Sequence, residues 1–329
     1  MNCTLEKAAK LLLESNNFIF LCHKSPDGDT LGSAYALKYA LEAVGKRAEV
    51  LCADEIPERL KFITELSESG SARDPEREPL VCAIDVAEPH MLGKYAEVYA
   101  GRIGLKIDHH PNGSEYAAYN YIDGRAAACA EIIYKILCRL SEMRGCVINE
   151  GVCTALYTAL SSDTGCFRYS NVTANTMRIG AELIEGGADN YGVNHRLFEL
   201  KTRAEIRARG MMINETEYHL DGRLAFLLIS QAFRAESGAS DDDIGGLVSE
   251  MREVEGVELA ITLKQDMQDE TKFKISMRSG LGIKANELCA MFGGGGHDRA
   301  AGGAIVAFSP EAAKKEVLSR VIEALGGDK

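Results

Sequence analysis

Apolar runs of strand length alternate with stretches of helical period through the first half of the chain. Residues 17–22 (NFIFLC), 47–52, 80–86 (LVCAIDV) and 102–107 (RIGLKI) are nearly continuous apolar segments, the pattern of strands buried on both faces. Ahead of the first, Thr4 is placed to cap a helix whose Leu5, Ala8, Ala9, Leu12 and Leu13 follow the 3.6 period. A helix is predicted over 30–44, ended by Gly45, and Pro57 opens a short one. Further helices are predicted over 126–140, 150–160 and 173–185, the last closed by Gly186-Gly187. Strands alternating with helices imply βαβ units and a parallel sheet.

The pattern changes near Asp189. Residues 191–214 read as helical and polar, with the charged stretch KTRAEIRAR. Strand candidates follow at 223–229, 257–263, 273–277 and 304–308, with helices at 242–254, 284–292 and 310–324. The expected organisation is α/β throughout: a mainly parallel-sheet domain over 1–190, a helical linker over 191–216, and a smaller mixed-sheet α/β domain over 217–329. Asp241-Asp242-Asp243 reads as a helix N-terminus favoured by the helix dipole, not as a metal site.

The chain has 329 residues, 46% apolar and 26% charged, enough for a core in each of two domains. No apolar run approaches the ~18 residues of a spanning helix, and the opening MNCTLEKAAK has no basic-then-apolar leader pattern, so a cytoplasmic protein is expected. The net charge of −12 argues against a long duplex-DNA contact, which needs a basic face. It leaves room for a small phosphorylated substrate beside bound cations. The ten Cys, with no C-x-x-C pair, read as small apolar residues of a reducing compartment.

Chemistry concentrates where strands end. His23-Lys-Ser-Pro-Asp27-Gly-Asp29 follows the first strand and precedes a helix, the edge where open α/β sheets bind ligands. One imidazole and two carboxylates suit divalent ions such as Mn²⁺; a turn whose Asp caps the next helix is the alternative. Asp85 ends the third strand, and Asp108-His109-His110 ends the fourth. Three titratable residues after an apolar strand are hard to bury unless something binds them. Asp163 precedes a glycine break. Four elements thus bring carboxylates and imidazoles to one edge, where Asp29 and His109 are expected as edge positions, not core. A two-metal site needs such convergence around a shared carboxylate, and Asp85, central among the strands, is the natural bridge. In the second half, the glycines of GGGGH (293–297) let backbone approach a phosphate or base closely, or simply form a turn before a strand. Arg278 can fork onto phosphate, and Arg168 is either a further phosphate ligand or a surface Arg.

HKSPDGD, the Asp of LVCAIDVAEPH, IDHH and SSDTGCFRYS resemble, in order, the four motifs of the DHH phosphoesterases. Residues 273–279 (FKISMRS) and 293–302 (GGGGHDRAAG) resemble the family's DHH-associated substrate-binding domain. The likeness covers essentially the whole chain and is strongest to the short bacterial oligoribonucleases that degrade nanoRNA and dephosphorylate 3′-phosphoadenosine 5′-phosphate (pAp). The resemblance implies two divalent cations, Mn²⁺ first and Mg²⁺ second. His23, Asp27 and Asp85 would hold one, and Asp29, His109 and Asp163 the other, sharing Asp85. It further implies that Asp108 orients a ligand, that His110 faces the scissile phosphate, and that Arg278, Ser279, Gly294, Gly295, Gly296, His297 and Arg168 contact substrate in a cleft between the domains. The implied partners are short single-stranded RNA or nucleotides and a second copy of the chain, without membrane or long duplex DNA. The alternatives are a cyclic- or linear-dinucleotide phosphodiesterase, a pyrophosphatase, or a nucleotide-binding module without turnover.

Overall fold

The computed structural model describes residues 1–67 and 78–326. The chain divides into two compact units, Met1–Leu200 and Lys201–Lys329.

In the first unit the elements run α1 (Leu5–Glu14), β1 (Asn17–Leu21), α2 (Gly28–Glu42), β2 (Arg47–Leu51), β3 (Leu80–Ile84), α3 (Tyr95–Val98), β4 (Leu105–Asp108), β5 (Tyr119–Ile122), α4 (Cys129–Glu142), α5 (Glu150–Asp163), α6 (Ala174–Glu185) and α7 (Asn190–Asn194). Thr4 caps α1 through the Lys7 amide, and Gly45 takes the left-handed conformation after α2. The five strands pair in parallel in the order β2-β1-β3-β4-β5. β1 carries the chain outward to β2 on one side, and β3 resumes on the other. The order therefore reverses between β1 and β3, and a crevice opens past their carboxyl ends.

One face of the sheet is covered by α1, α2 and α4, with α5 and α6 packed outside them, around Phe18, Phe20, Leu37, Ile133 and Leu156. The opposite face packs Ile19, Leu21, Val81 and Ala83 against Leu92 and Ile103. Helix α2 is buried on almost every side, since it lies between the sheet and α5. Its approach to α5 depends on missing side chains. A Cβ on Gly32 would stand 2.4 Å from the Ala155 carbonyl oxygen, and one on Gly28 would stand 2.6 Å from the Ser162 Cβ.

The second unit runs α8 (Arg203–Glu215), β6 (Glu217–His219), β7 (Leu224–Ile229), α9 (Gln231–Ser237), α10 (Asp241–Ile244), α11 (Leu247–Arg252), β8 (Leu259–Gln265), β9 (Lys272–Ser279), α12 (Ala285–Ala290), β10 (Gly295–His297), β11 (Ala300–Val306) and α13 (Pro310–Ala324). Its six-stranded sheet has the order β10-β11-β9-β8-β7-β6, with β7 and β8 parallel and the other pairs antiparallel. Helices α12 and α13 cover one face around Phe226, Ile261, Phe273 and Ile275. The other face is covered over β7 and part of β8, where Ala225, Leu227 and Ala260 pack on Ala208, Phe233, Leu247 and Met251.

Several expectations shift. The single helix over 242–254 is two, because Gly245-Gly246 interrupts it. Ser240 caps the first through a reciprocal bond with Asp243, so the aspartate run is a helix start. The helical stretch over 191–214 divides: α7 packs on α5 in the first unit, and α8 on α9 in the second. The ten cysteines are all unpaired. Among the described residues no helix is long and apolar enough to cross a membrane.

Candidate active site

The site begins with the loop after β1. His23 is buried, and its Nδ1 lies 2.8 Å from the Lys24 carbonyl oxygen. A carbonyl only accepts, so Nδ1 carries a proton, and in the neutral ring Nε2 is the nitrogen with the lone pair. That Nε2 stands 3.6 Å from Asp27 Oδ1 and 3.8 Å from Asp85 Oδ2. Asp27 also caps α2, Oδ1 accepting the amides of Asp29 and Thr30 at 3.0 and 3.1 Å. The capping reading of this loop therefore holds for Asp27, which also belongs to a group that could hold a metal ion. Burial works against ionisation of Asp27, but His23 and the two amides outweigh it and hold the carboxyl below its ordinary range.

His109 repeats the arrangement from β4. Its Nδ1 faces the Ala126 carbonyl oxygen at 3.2 Å. Its Nε2 lies 3.3 Å from Asp163 Oδ2, 3.5 Å from Asp85 Oδ1 and 3.9 Å from Asp29 Oδ2. Asp163 comes from the last turn of α5, which runs three residues beyond the predicted end at residue 160. The close α2–α5 packing at Gly28 and Gly32 is what brings Asp29 and Asp163 to one place.

Asp85 sits between the two groups. It comes directly after the middle strand, takes the left-handed φ of +58°, and still donates its N–H to the Ile107 carbonyl at 2.9 Å. Asp tolerates this region better than most non-glycine residues, at a cost of roughly 1–2 kcal/mol. One carboxylate oxygen faces His23 and the other faces His109. Oδ1 is buried without a hydrogen-bond partner.

Asp29 is fully buried, contrary to the expectation of an edge position. Its Oδ2 accepts the Cys129 amide at 2.6 Å, and its Oδ1 accepts the Ala130 amide at 3.0 Å and the Ser33 hydroxyl at 3.1 Å. It therefore supplies the cap that Ala128 cannot give to α4. This is also why α4 begins at Cys129 and not at residue 126.

Burial and the charges of neighbouring aspartates push Asp29 and Asp85 well above the usual carboxylate range. Burial, with Asp27 adding to it, raises Asp163 to about 6 against the pull of His109. Four carboxylates in so small a volume repel one another, and a divalent cation removes that repulsion. Two ligand groups meet within 4.8 Å: His23, Asp27 and Asp85; and Asp29, His109 and Asp163. Asp85, His109 and His110 form a third such group, but His110 Nδ1 is directed at Asp108 Oδ1, 2.7 Å away. The orphaned Asp85 oxygen and the mixed oxygen–nitrogen donor set fit hard-to-borderline divalent ions.

Behind the site lies a group that sequence reading missed. Lys106 is completely buried, donating to the carbonyl oxygens of Ala87 and Ser114, both at 2.9 Å. Its Nζ also stands 3.0 Å from Asp108 Oδ2, an ion pair outside hydrogen-bond geometry. Asp108 Oδ1 takes the amides of His109 and His110 and the His110 ring. Burial raises the Asp108 carboxyl, but His110 and Lys106 together hold it below its ordinary value. The signal was a Lys inside an otherwise apolar strand, LKID.

In the second unit, register places Arg278 and His297 on either side of Ala300. Directly paired residues share a face, so the two are about 10 Å apart. The glycines form a hairpin strand with β11. Gly294 and Gly296 are needed because a Cβ would meet the Gly302 and Ala300 carbonyl oxygens at 2.0 and 2.6 Å, whereas Gly295 faces open space. Ser279 turns to the opposite face from Arg278. It is buried, and its hydroxyl donates to the Ile283 carbonyl at 2.7 Å, which leaves it a structural role. Arg168 is exposed, with Nε donating to the Gly165 carbonyl.

Carboxylates and imidazoles gathered past the ends of parallel strands make a site suited to divalent cations, and likeness to known proteins carries this further. Residues 17–160 match the DHH family, N-terminal domain, and residues 224–327 match the DHHA1 domain. The chain is 30% identical over 308 residues to the bifunctional oligoribonuclease and PAP phosphatase NrnA of Thermus thermophilus, covering 92% of this chain and 88% of that one. It is 23% identical over 283 residues to the Bacillus subtilis protein of the same name, covering 86% and 87%. The crystal structure of an exopolyphosphatase-related protein from Bacteroides fragilis shares the fold at a TM-score of 0.86, with 21% identity and coverage of 98% and 97%. The chain is a phosphoesterase and belongs to the DHH family.

Proposed function

We propose that the chain hydrolyses short single-stranded oligoribonucleotides to mononucleotides, and pAp to AMP, with two divalent cations, Mn²⁺ before Mg²⁺. One observation carries this reading: the two oxygens of Asp85 are divided between two complete ligand groups, with His23 and His109 both fixed to offer Nε2. The names of the relatives from Thermus thermophilus and Bacillus subtilis supply the substrate class.

His23, Asp27 and Asp85 would hold one cation and Asp29, His109 and Asp163 the other. When bound, such a pair neutralises phosphate charge and makes water a nucleophile at neutral pH. The chain's own residues do the rest. Asp108 fixes the His110 ring through Nδ1, so the imidazole is oriented to donate a proton or hydrogen bond to a phosphate oxygen. Arg278, His297 and the open backbone at Gly295 offer donors to the nucleotide, with Arg168 a further cation for phosphate.

The test is a product assay with Mn²⁺ on RNAs of two to five nucleotides, a long RNA, pAp, cyclic di-AMP and pyrophosphate, with Asp163→Asn as the blank. Turnover of the short RNAs and pAp is expected. A preference for cyclic di-AMP or pyrophosphate, or metal binding without turnover of any substrate, overturns the proposal.

A further inference from the structure

On one sheet face of the second unit the helix cover runs over β7 and β8 as far as α11, which also reaches β9, and the outer part of that face is open. Along β9, Phe273, Ile275 and Met277 enter the core, so Lys272, Lys274, Ser276 and Arg278 share the other face. Their partners on β11 are Val306, Ala304, Gly302 and Ala300. Those on β8 include Lys264 and Thr262. The row of cations is thus bordered by a shelf of mostly small residues. At its outer end a groove of about 930 Å³ is lined by Arg234, Lys264, Lys272 and Lys274, with Asp241 and Asp266 among the remaining residues. With Asp269 beside Lys272, four cations face three carboxylates, a small positive surplus on a chain whose net charge is −12.

Three of the four cations share two carboxylates. Asp241 Oδ1 takes both Arg234 and Lys264, at 3.0 and 2.7 Å. Asp269 engages Lys272 at 3.0 Å. The hydrogen bond from Lys264, with Arg234 and Lys274 near, holds Asp241 below the usual carboxylate range. Arg234 keeps a buried Nε without an acceptor.

Spacing identifies what fits. Residues two apart on a strand advance about 6.7 Å, comparable to successive phosphates of an extended single strand. From Arg278 to Lys272 the row is about 20 Å long, room for roughly three phosphodiester steps. We propose that Lys264, Lys272 and Lys274, with Arg234 beside them, form a phosphate track beyond Arg278 that holds the unreacting nucleotides of a single-stranded oligoribonucleotide. Such a track favours binding of oligonucleotides over pAp, and in that respect it rests on the function proposed above.

The experiment uses the full chain and Lys272→Gln/Lys274→Gln. Both lysines are exposed, so the fold is retained. Binding of a fluorescent RNA pentamer is followed by anisotropy in EDTA at several salt concentrations. KM and kcat are measured for the pentamer and for pAp with Mn²⁺. Each lost contact to a single strand lowers the salt slope by about 0.7, so the double variant should lose about 1.4. At about 0.15 M salt that is an affinity loss of roughly tenfold. The pentamer KM should rise accordingly, kcat should hold, and the pAp KM should stay within about twofold. An equal rise for both substrates, or an unchanged salt slope, overturns the track. So does displacement of the labelled pentamer from the wild-type chain by tripolyphosphate as readily as by unlabelled pentamer, since the occupant would then be a bare phosphate chain. Salt-sensitive pentamer binding that weakens in the variant, with no turnover of either substrate, overturns the proposed activity and leaves the track standing.

Discussion

Asp29→Ala separates the chemical role of this carboxylate from its architectural one. The substitution removes the acceptor of the Cys129 and Ala130 amides and of the Ser33 hydroxyl, all buried. The hydroxyl can turn to another partner, but the two amides cannot. Each orphaned amide costs about 1–3 kcal/mol, so the gross loss is about 2–6 kcal/mol. Against this, Asp29 is itself held in an unfavourable state by burial and by the Asp85 and Asp163 charges, and its removal relieves that strain. The net loss is then about 2–4 kcal/mol. In a unit of 200 residues, each kcal/mol moves Tm by about 2–4 °C, so a drop of roughly 5–15 °C is expected. The assay is thermal unfolding by circular dichroism in EDTA, where bound metal contributes nothing. Asp163→Ala is the control, because it removes a charge from the same cluster without touching a helix cap. Both variants should lose turnover with Mn²⁺, and only Asp29→Ala should lose stability. If the two melt within about 2 °C of each other in EDTA, the capping argument is wrong.

Gly32→Ala drives a Cβ to 2.4 Å from the Ala155 carbonyl oxygen, so α2 and α5 must part; a loss of about 1–3 kcal/mol and a lower kcat are expected, and full activity in a normally stable variant would show that this packing does not set the Asp29–Asp163 geometry. Lys106→Met leaves Asp108 buried without its cation, and denaturant unfolding should report about 3–5 kcal/mol lost; a loss under about 1 kcal/mol would assign Asp108 to its other hydrogen bonds. Asp85→Gly should melt higher than wild type in EDTA, since it removes both a left-handed side chain and an orphaned buried oxygen, while turnover disappears. A lower melting point would show that the carboxylate stabilises the metal-free fold.

How far the sequence could be read depended on the range of the interactions. The strands β1 to β4 were legible because continuous apolar runs have few other uses in a chain of this composition. The ends of strands pointed to His23, Asp85 and His109 because topology alone brings those positions to one edge. β5 was missed: Tyr119–Ile122 is four residues long and includes a buried Asn120, whose side chain is satisfied by Ala117. The start of α4 was misplaced because its cap comes from Asp29, a hundred residues earlier in sequence. No local pattern encodes such a contact. The same holds for Gly28 and Gly32, which read as ordinary helix residues until α5 is laid against them.

The second unit shows the opposite error, because a contiguous motif there is not a single functional object. Strand alternation divides Arg278 from Ser279, sending one to the open face and the other into hydrogen bonds beneath it. Within GGGGH, backbone packing accounts for Gly294 and Gly296, and Gly293, Gly295 and His297 are left facing outward. The same alternation, traced in the other direction along β9, exposes Lys272 and Lys274 on the face of Arg278. In the linear sequence those lysines look like the solvated flank of a strand. Their connection to Arg278 appears only once β8 and β11 fix which face is open, and that connection is what makes them candidates for holding phosphate.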